Sequence, residues 1–267
     1  EVTNTFNVTK AGAGVWLGGL AQAYDGTARM ASATTLPAGL TVEITYDGSA
    51  TAPVNAGSYA VTGTVADVMY QGAATGTLTV SKGDQTIAFP AIGDQETTNA
   101  VGLAATATSG LGVGFAVESG PGTIAGGANV TFTGTGAVSI VASQGGDTNW
   151  NAAAEVTNTF NVTKAGAGVW LGDLAQAYDG TARVASATTL PAGLTVEITY
   201  DGTTNAPVNA GSYAVTGRVD EANGQGVAAG TLVVEKAEQA IVFGAMAAQR
   251  TNAVVGLSAT GGGSGQP

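Results

Sequence analysis

Residues Glu1–Lys82 recur as Glu155–Lys236 at an offset of 154, and 67 of the 82 paired positions are identical. Over the first 63 residues of the repeat only positions 19, 30, 49, 50 and 51 differ; the other ten differences fall between 64 and 81. Solenoid repeats run at roughly 20–50 residues. A period of 154 must therefore hold whole folding units.

The lysines show where those units meet. There are four, Lys10, Lys82, Lys164 and Lys236, spaced 72, 82 and 72 residues apart. Each closes an alternating run, as in Phe6-Asn7-Val8-Thr9-Lys10 and Leu78-Thr79-Val80-Ser81-Lys82, and each precedes small residues. Each reads as the end of a last strand. The resulting map has 1–10 as the last strand of a preceding domain, 11–82 as a short β-domain and 83–164 as a longer one. A second short domain follows at 165–236, then the first part of a second long domain at 237–267. Ala237–Pro267 matches Gly83–Val113, with Gln239, Ile241, Phe243 and Leu257 standing for Gln85, Ile87, Phe89 and Leu103. On this reading the sequence is a window on a longer chain, and Thr260–Pro267 reads equally as native sequence or as a linker. The junctions have no Pro-rich or Gly/Ser spacer, so neighbouring domains should be held semi-rigidly.

Inside the units the apolar period is two. Leu40, Val42, Ile44 and Tyr46 share one face, with Thr41, Glu43 and Thr45 on the other; Tyr59, Val61, Gly63 and Val65 repeat the pattern. In the longer unit Phe115 and Val117, Val130 and Phe132, and Val138 and Ile140 alternate likewise. Pro37-Ala38-Gly39, Asp47-Gly48, Ala56-Gly57 and Gly120-Pro121-Gly122 punctuate the strands as turns. No stretch has helical periodicity. The fold class is all-β, as tandem small immunoglobulin-like β-sandwich domains in an extended array.

Composition removes several function classes. Net charge is −11 and only 10% of residues are charged, which leaves too few cations to neutralise a phosphate backbone, so nucleic acid is not expected as a partner. No apolar run approaches the ~18 residues of a membrane span. The chain has no histidine and no cysteine, which takes away the commonest general base, the thiolate nucleophile and most transition-metal sites. The acids sit singly, mostly in turns such as Asp25-Gly26 and Asp47-Gly48, where side-chain capping explains them. Gly12-x-Gly14-x-x-x-Gly18 misses the dinucleotide fingerprint in spacing and in the helix that should follow. No enzyme is expected.

Two motif sets carry a family resemblance. Tyr24-Asp25-Gly26-Thr27, Leu36-Pro37-Ala38-Gly39-Leu40, Tyr46-Asp47-Gly48, Ala52-Pro53 and Asn55-Ala56-Gly57-Ser58-Tyr59 resemble the MBG-type repeats of large bacterial surface proteins. The longer unit is similar to the bacterial Ig-like repeats that alternate with them. Its matching residues are Gln85-Thr86-Ile87 and Gln144-Gly145-Gly146-Asp147-Thr148-Asn149-Trp150-Asn151-Ala152-Ala153. The likeness covers essentially the whole chain, with one departure: Tyr70 becomes Gly224 in the second copy. The resemblance implies a secreted or surface-attached location and structural or adhesive work, and it assigns no catalytic residue.

The expected role is therefore a stalk or fibre, in which each domain's partners are its neighbours in the same longer chain. Strands of ~6–8 residues at ~3.3 Å each make domains roughly 30–40 Å long, so three and a half of them span on the order of 120 Å. Two rivals stand beside it: a filament or sheath subunit that associates with itself through Gly/Ala/Thr-rich faces, and a glycan- or ice-binding module. Trp16 and Trp170 read as junction packers together with Lys10, Lys82, Lys164 and Lys236, while Trp150 is the candidate ligand platform and Thr131, Thr133 and Thr135 form a short threonine ladder. Calcium is the one cofactor the junctions invite, through Asp84 beside Lys82 and Glu235 and Glu238 around Lys236. The ion takes roughly 6–8 oxygens, whereas Lys10-Ala11-Gly12 offers no carboxylate, so solvated junction charges are the ordinary reading.

Overall fold

The computed structural model describes residues 1–261, and the segment 262–267, which includes most of the ambiguous tail, lies outside the described residues. The chain is all-β and divides into two compact units. The first comprises residues 1–95 and 99–162; the second takes in 96–98 and the chain from 163 onward.

In the first unit, a four-stranded sheet runs in the order Ala21–Ala23, Ala73–Ser81, Gly57–Val65, Val42–Tyr46. Its first pair is parallel and the others antiparallel. A two-stranded ribbon, Gly14–Gly18 with Ser32–Leu36, contributes Leu17 to the same core. Alternation places Tyr46, Val61, Leu78 and Val80 inside, where they meet Ala31, Leu17, Leu20 and Ile44. Glycine on the inner face allows the close approach. A β-carbon at Gly63 would stand 2.9 Å from Leu17 Cδ2, and one at Gly76 the same distance from Leu20 Cδ1. The expected Asp47-Gly48 turn forms with both residues at positive φ (47° and 83°), and Asp47 Oδ1 accepts the Ala60 amide at 2.8 Å.

Most of the rest of this unit is a sandwich built on two sheets, beside the short pair Ile87–Ala88 with Thr106–Ala107. One has the order Gln95–Glu96, Val156–Thr163, Gly136–Ser143, Gly114–Ser119; the other Ala100–Gly102, Asn129–Phe132, Gly122–Ala125. Between them lie Leu103, Val130, Phe132, Val138, Ile140, Phe160 and Val162. The Phe132 and Phe160 rings meet edge to face at 5.8 Å.

Residues 1–10, expected as the last strand of a preceding domain, lie in no strand of this structure. Those residues are unpaired and exposed, although the identical sequence Glu155–Lys164 contains the strand Val156–Thr163. Phe6 is 84% exposed and Phe160 is 3% exposed. The difference is tertiary: Val156–Thr163 pairs along Gly136–Ser143 and faces the sandwich core, whereas residues 1–10 pair with no strand among the described residues. The threonine ladder also fails to extend, because the strand ends at Phe132 and leaves Thr133 and Thr135 in a bend.

The second unit repeats the short-domain sheet with Ala165–Gly166, Gly224–Glu235, Gly211–Asp220 and Glu197–Tyr200 in order, and Ala175–Ala177 also on Gly224–Glu235. Ala185, Tyr200, Val215, Leu232 and Val234 form its core. Divergence between copies is concentrated at one loop. Residues 66–69 are irregular in the first, while the second closes a tighter hairpin in which the Glu221 amide donates to the Gly224 carbonyl at 2.9 Å. The change of Tyr70 to Gly224 leaves the pairing intact, since Ala11↔Tyr70 and Ala165↔Gly224 are both backbone ladders. Farther on, Ile241–Phe243 pairs with Ala259–Gly261 in the register that Ile87–Ala88 and Thr106–Ala107 use, with Ile241, Val242 and Phe243 exposed.

Candidate functional site: the junction at Lys82 and Gly83

The loop Gln144–Asn151 joins one β-domain to the next within the first unit. Asp147 shapes it: its Oδ1 accepts the amides of Asn149 (2.8 Å) and Trp150 (2.7 Å), so the carboxylate serves as a local turn cap. Gly146, at φ 74°, lets the chain fold back, and its amide donates to Gln144 Oε1 at 2.5 Å. The loop then grips the strand end from both sides. Gly83 donates to the Asn149 carbonyl at 2.9 Å, and Asn151 donates to the Gly83 carbonyl at 2.8 Å, an isolated parallel bridge centred on Trp150.

Side chains extend the grip. Asn149 Oδ1 accepts the Ala56 amide at 2.9 Å, and Asn149 Nδ2 donates to Asn55 Oδ1 at 3.1 Å. Lys82 Nζ donates to the Asp147 carbonyl at 2.5 Å. The Trp150 ring stands edge to face against Tyr24 at 5.1 Å and 87°. Gly83 is buried beneath it; a β-carbon there would stand 2.8 Å from the Trp150 ring and 2.5 Å from the Tyr24 carbonyl oxygen. Buried Gln85 fixes the base of the loop by donating to Gln144 Oε1 (2.6 Å) and the Asn151 carbonyl (2.7 Å).

The three tryptophans have different surroundings. Trp16 and Trp170 are 57% and 55% exposed. Each indole lies back over the glycine two residues earlier on its own strand, Gly14 or Gly168, where a β-carbon would stand 2.6 or 2.5 Å from the ring. Trp150, expected as a ligand platform, meets Tyr24 of the neighbouring domain. The lysines divide as well. Lys10 donates to the Asp67 carbonyl at 2.7 Å and Lys164 pairs with Asp220, so both reach the loop that differs between copies. Lys82 belongs to the junction and Lys236 lines an open cavity. In the second unit the buried Thr97 hydroxyl donates to the Asn223 carbonyl at 2.6 Å and accepts the Ala165 amide at 3.2 Å.

Three sites that sequence reasoning missed are Asn149, Tyr24 and Gly83. The available signals were an Asp followed two residues later by Asn, which predicts a capped loop, and a glycine directly after a strand-closing lysine.

Charge at the first copy's turn is local. The Asp25 carboxyl is held below its usual value, chiefly by the Thr27 hydroxyl (2.6 Å) and amide (2.8 Å), with Arg29 adding to it. Asp179 repeats this with Thr181 and Arg183. Asp84, offered as a calcium ligand, accepts Asn151 Nδ2 at 2.8 Å. Among the described residues no three acidic side chains converge as a metal site and no helix is long and apolar enough to cross a membrane.

Repeated small β-domains, two of which are joined within the first unit by a polar and aromatic clasp, define a tandem-repeat β-domain protein. The MBG-domain signature matches residues 13–84 and 167–238, more than half of the sequence, and the chain belongs to the MBG-domain family. A comparison with curated proteins gave no match. Among solved structures the chain is similar to Sidekick-1 immunoglobulin domains 1–5, at 14% identity and TM-score 0.32 over 81% of this chain and 57% of that one. It is also similar to Drosophila N-cadherin EC1-4, at 13% identity and TM-score 0.29 over 81% of this chain and 72% of that one. The titin domains z1z2, solved in complex with telethonin, match at 15% identity and TM-score 0.27 over 60% of this chain and the whole of that one. The chain thus spans little more than half the length of the Sidekick-1 segment.

Proposed function

We propose that this chain is a structural repeat region of a large extracellular or surface-attached bacterial protein, acting as a stalk or fibre segment without catalysis. On this reading the domains are cut at the four lysines, and their partners are one another. The observation that carries it is the clasp at Lys82 and Gly83. Two backbone hydrogen bonds, an Asn149 side chain, a lysine and an aromatic pair are invested in joining consecutive domains that have no spacer between them. A connection of that kind transmits position and load, which suits a spacer and gives a catalyst nothing. Membership of the MBG family supports the surface location.

Small-angle scattering over a concentration series tests this reading. A stalk predicts a concentration-independent profile with a radius of gyration well above the ~18 Å of a compact globule of this length. A compact profile overturns it. Growth of mass with concentration replaces it with a self-assembling filament. A glycan-binding module is the other reading, with half-buried Trp150, edge to face against Tyr24, as its platform; glycan-array binding that is lost in Trp150→Ala would favour it.

A further inference from the structure

The second repeat presents the same junction surface uncovered. Tyr178, Ala210 and Lys236 stand at the positions of Tyr24, Ala56 and Lys82. With Asp179, Ala237 and Glu238 they line an open cavity of about 770 Å³. Near-identity of the repeats makes the two surfaces directly comparable. Tyr24 and Ala56 are half-buried and Gly83 is buried, whereas Tyr178 is 39% exposed and Ala210 and Ala237 are exposed. What covers the first surface is Asn149 and Trp150.

We propose that the cavity beside Tyr178 is a docking site for an Asp-Thr-Asn-Trp-Asn loop, the kind formed by Asp147–Asn151, carried by the Ig-like domain that residues from 237 onward open. Three elements of the first clasp have their counterparts here. The Ala210 amide is the donor for the loop's asparagine, as Ala56 is for Asn149. The Tyr178 ring is the surface for the indole, as Tyr24 is for Trp150. Lys236 is the donor for the aspartate's carbonyl, as Lys82 is for Asp147.

One position grades the two sites. Gly83 is replaced by Ala237, and a β-carbon at Gly83 would come within 2.8 Å of the indole and 2.5 Å of the tyrosine carbonyl oxygen. The second site must therefore hold its indole farther from the strand end than the first does, so its grip on the same loop is weaker. The first junction is a tight joint and the second a looser one.

This inference rests on reading residue 237 onward as the start of a long domain, and its failure is separable from failure of the stalk, which scattering tests independently. The whole chain, amide-labelled, is titrated with the synthetic peptide Gln-Gly-Gly-Asp-Thr-Asn-Trp-Asn-Ala-Ala and followed by NMR. Saturable shifts are expected at Tyr178, Ala210 and Lys236, lost when the peptide's Trp is replaced by Ala. Ala237→Gly should bind the peptide several-fold more tightly, and Tyr178→Ala should remove the response. Absence of shifts in both the natural chain and Ala237→Gly, or equal shifts with the Trp-free peptide, overturns the proposal.

Discussion

Gly83 and Trp150 pair in a parallel bridge with no room between them for a methyl group: a β-carbon at Gly83 would stand 2.8 Å from the indole. Gly83→Ala must move either the indole or the Tyr24 backbone. Overpacking of this kind costs about 1–3 kcal/mol. Denaturant unfolding followed by tryptophan fluorescence should show the loss, and an unchanged midpoint would mean that the clasp yields freely.

Identical residues in different surroundings give a paired test. Phe160→Ala empties a core position against Phe132 and should cost about 3–5 kcal/mol. Phe6→Ala, in the same ten-residue sequence, should leave unfolding unchanged, because Phe6 makes no core contact. Equal effects would place Glu1–Lys10 in a folded strand.

Tyr46 and Tyr200 act as acceptors inside their cores. Each phenolic oxygen takes a buried backbone amide, Ala31 or Ala185, at 2.8 Å. Tyr46→Phe keeps the ring and strands the donor, at a cost of about 1–3 kcal/mol. Thermal melts of the two single variants should fall by similar amounts, and a neutral result would mean that water reaches Ala31.

Acid should weaken both repeats in the same window. The Asp25 and Asp179 carboxyls are lowered in the folded state by hydrogen bonds from Thr27 and Thr181 ahead of the arginines. A lowered carboxyl contributes stability that is complete above the unfolded value, about pH 4, and is lost as pH falls through the folded value. Both groups are exposed, so the effect is small. Urea midpoints at neutral and acid pH should converge in the double variant Asp25→Asn, Asp179→Asn relative to the natural chain; an unchanged pH dependence would assign it elsewhere.

Much of the architecture was legible because alternation and turn residues are local. Val61, Leu78 and Val130 announce their inward faces through their neighbours, and Asp47-Gly48 announces its turn. The junction was less legible because its parts lie 93 residues apart, as Ala56 and Asn149 do. An exposed-looking loop tryptophan became the packer, while Trp16 in an alternating strand became the exposed one. Gly14 explains the latter: with no side chain two positions earlier on the same face, the indole lies back over its own strand. Glu1–Lys10 shows the limit most plainly, since an identical sequence is strand or coil according to the partner available.

The clasp at Gly83 should make the two domains it joins move as one body. Amide nitrogen relaxation on the labelled chain measures this directly. Residues 11–82 and 83–162 should report a single rotational correlation time, and Trp150→Ala should split it into two. Two distinct correlation times in the natural chain would contradict the account.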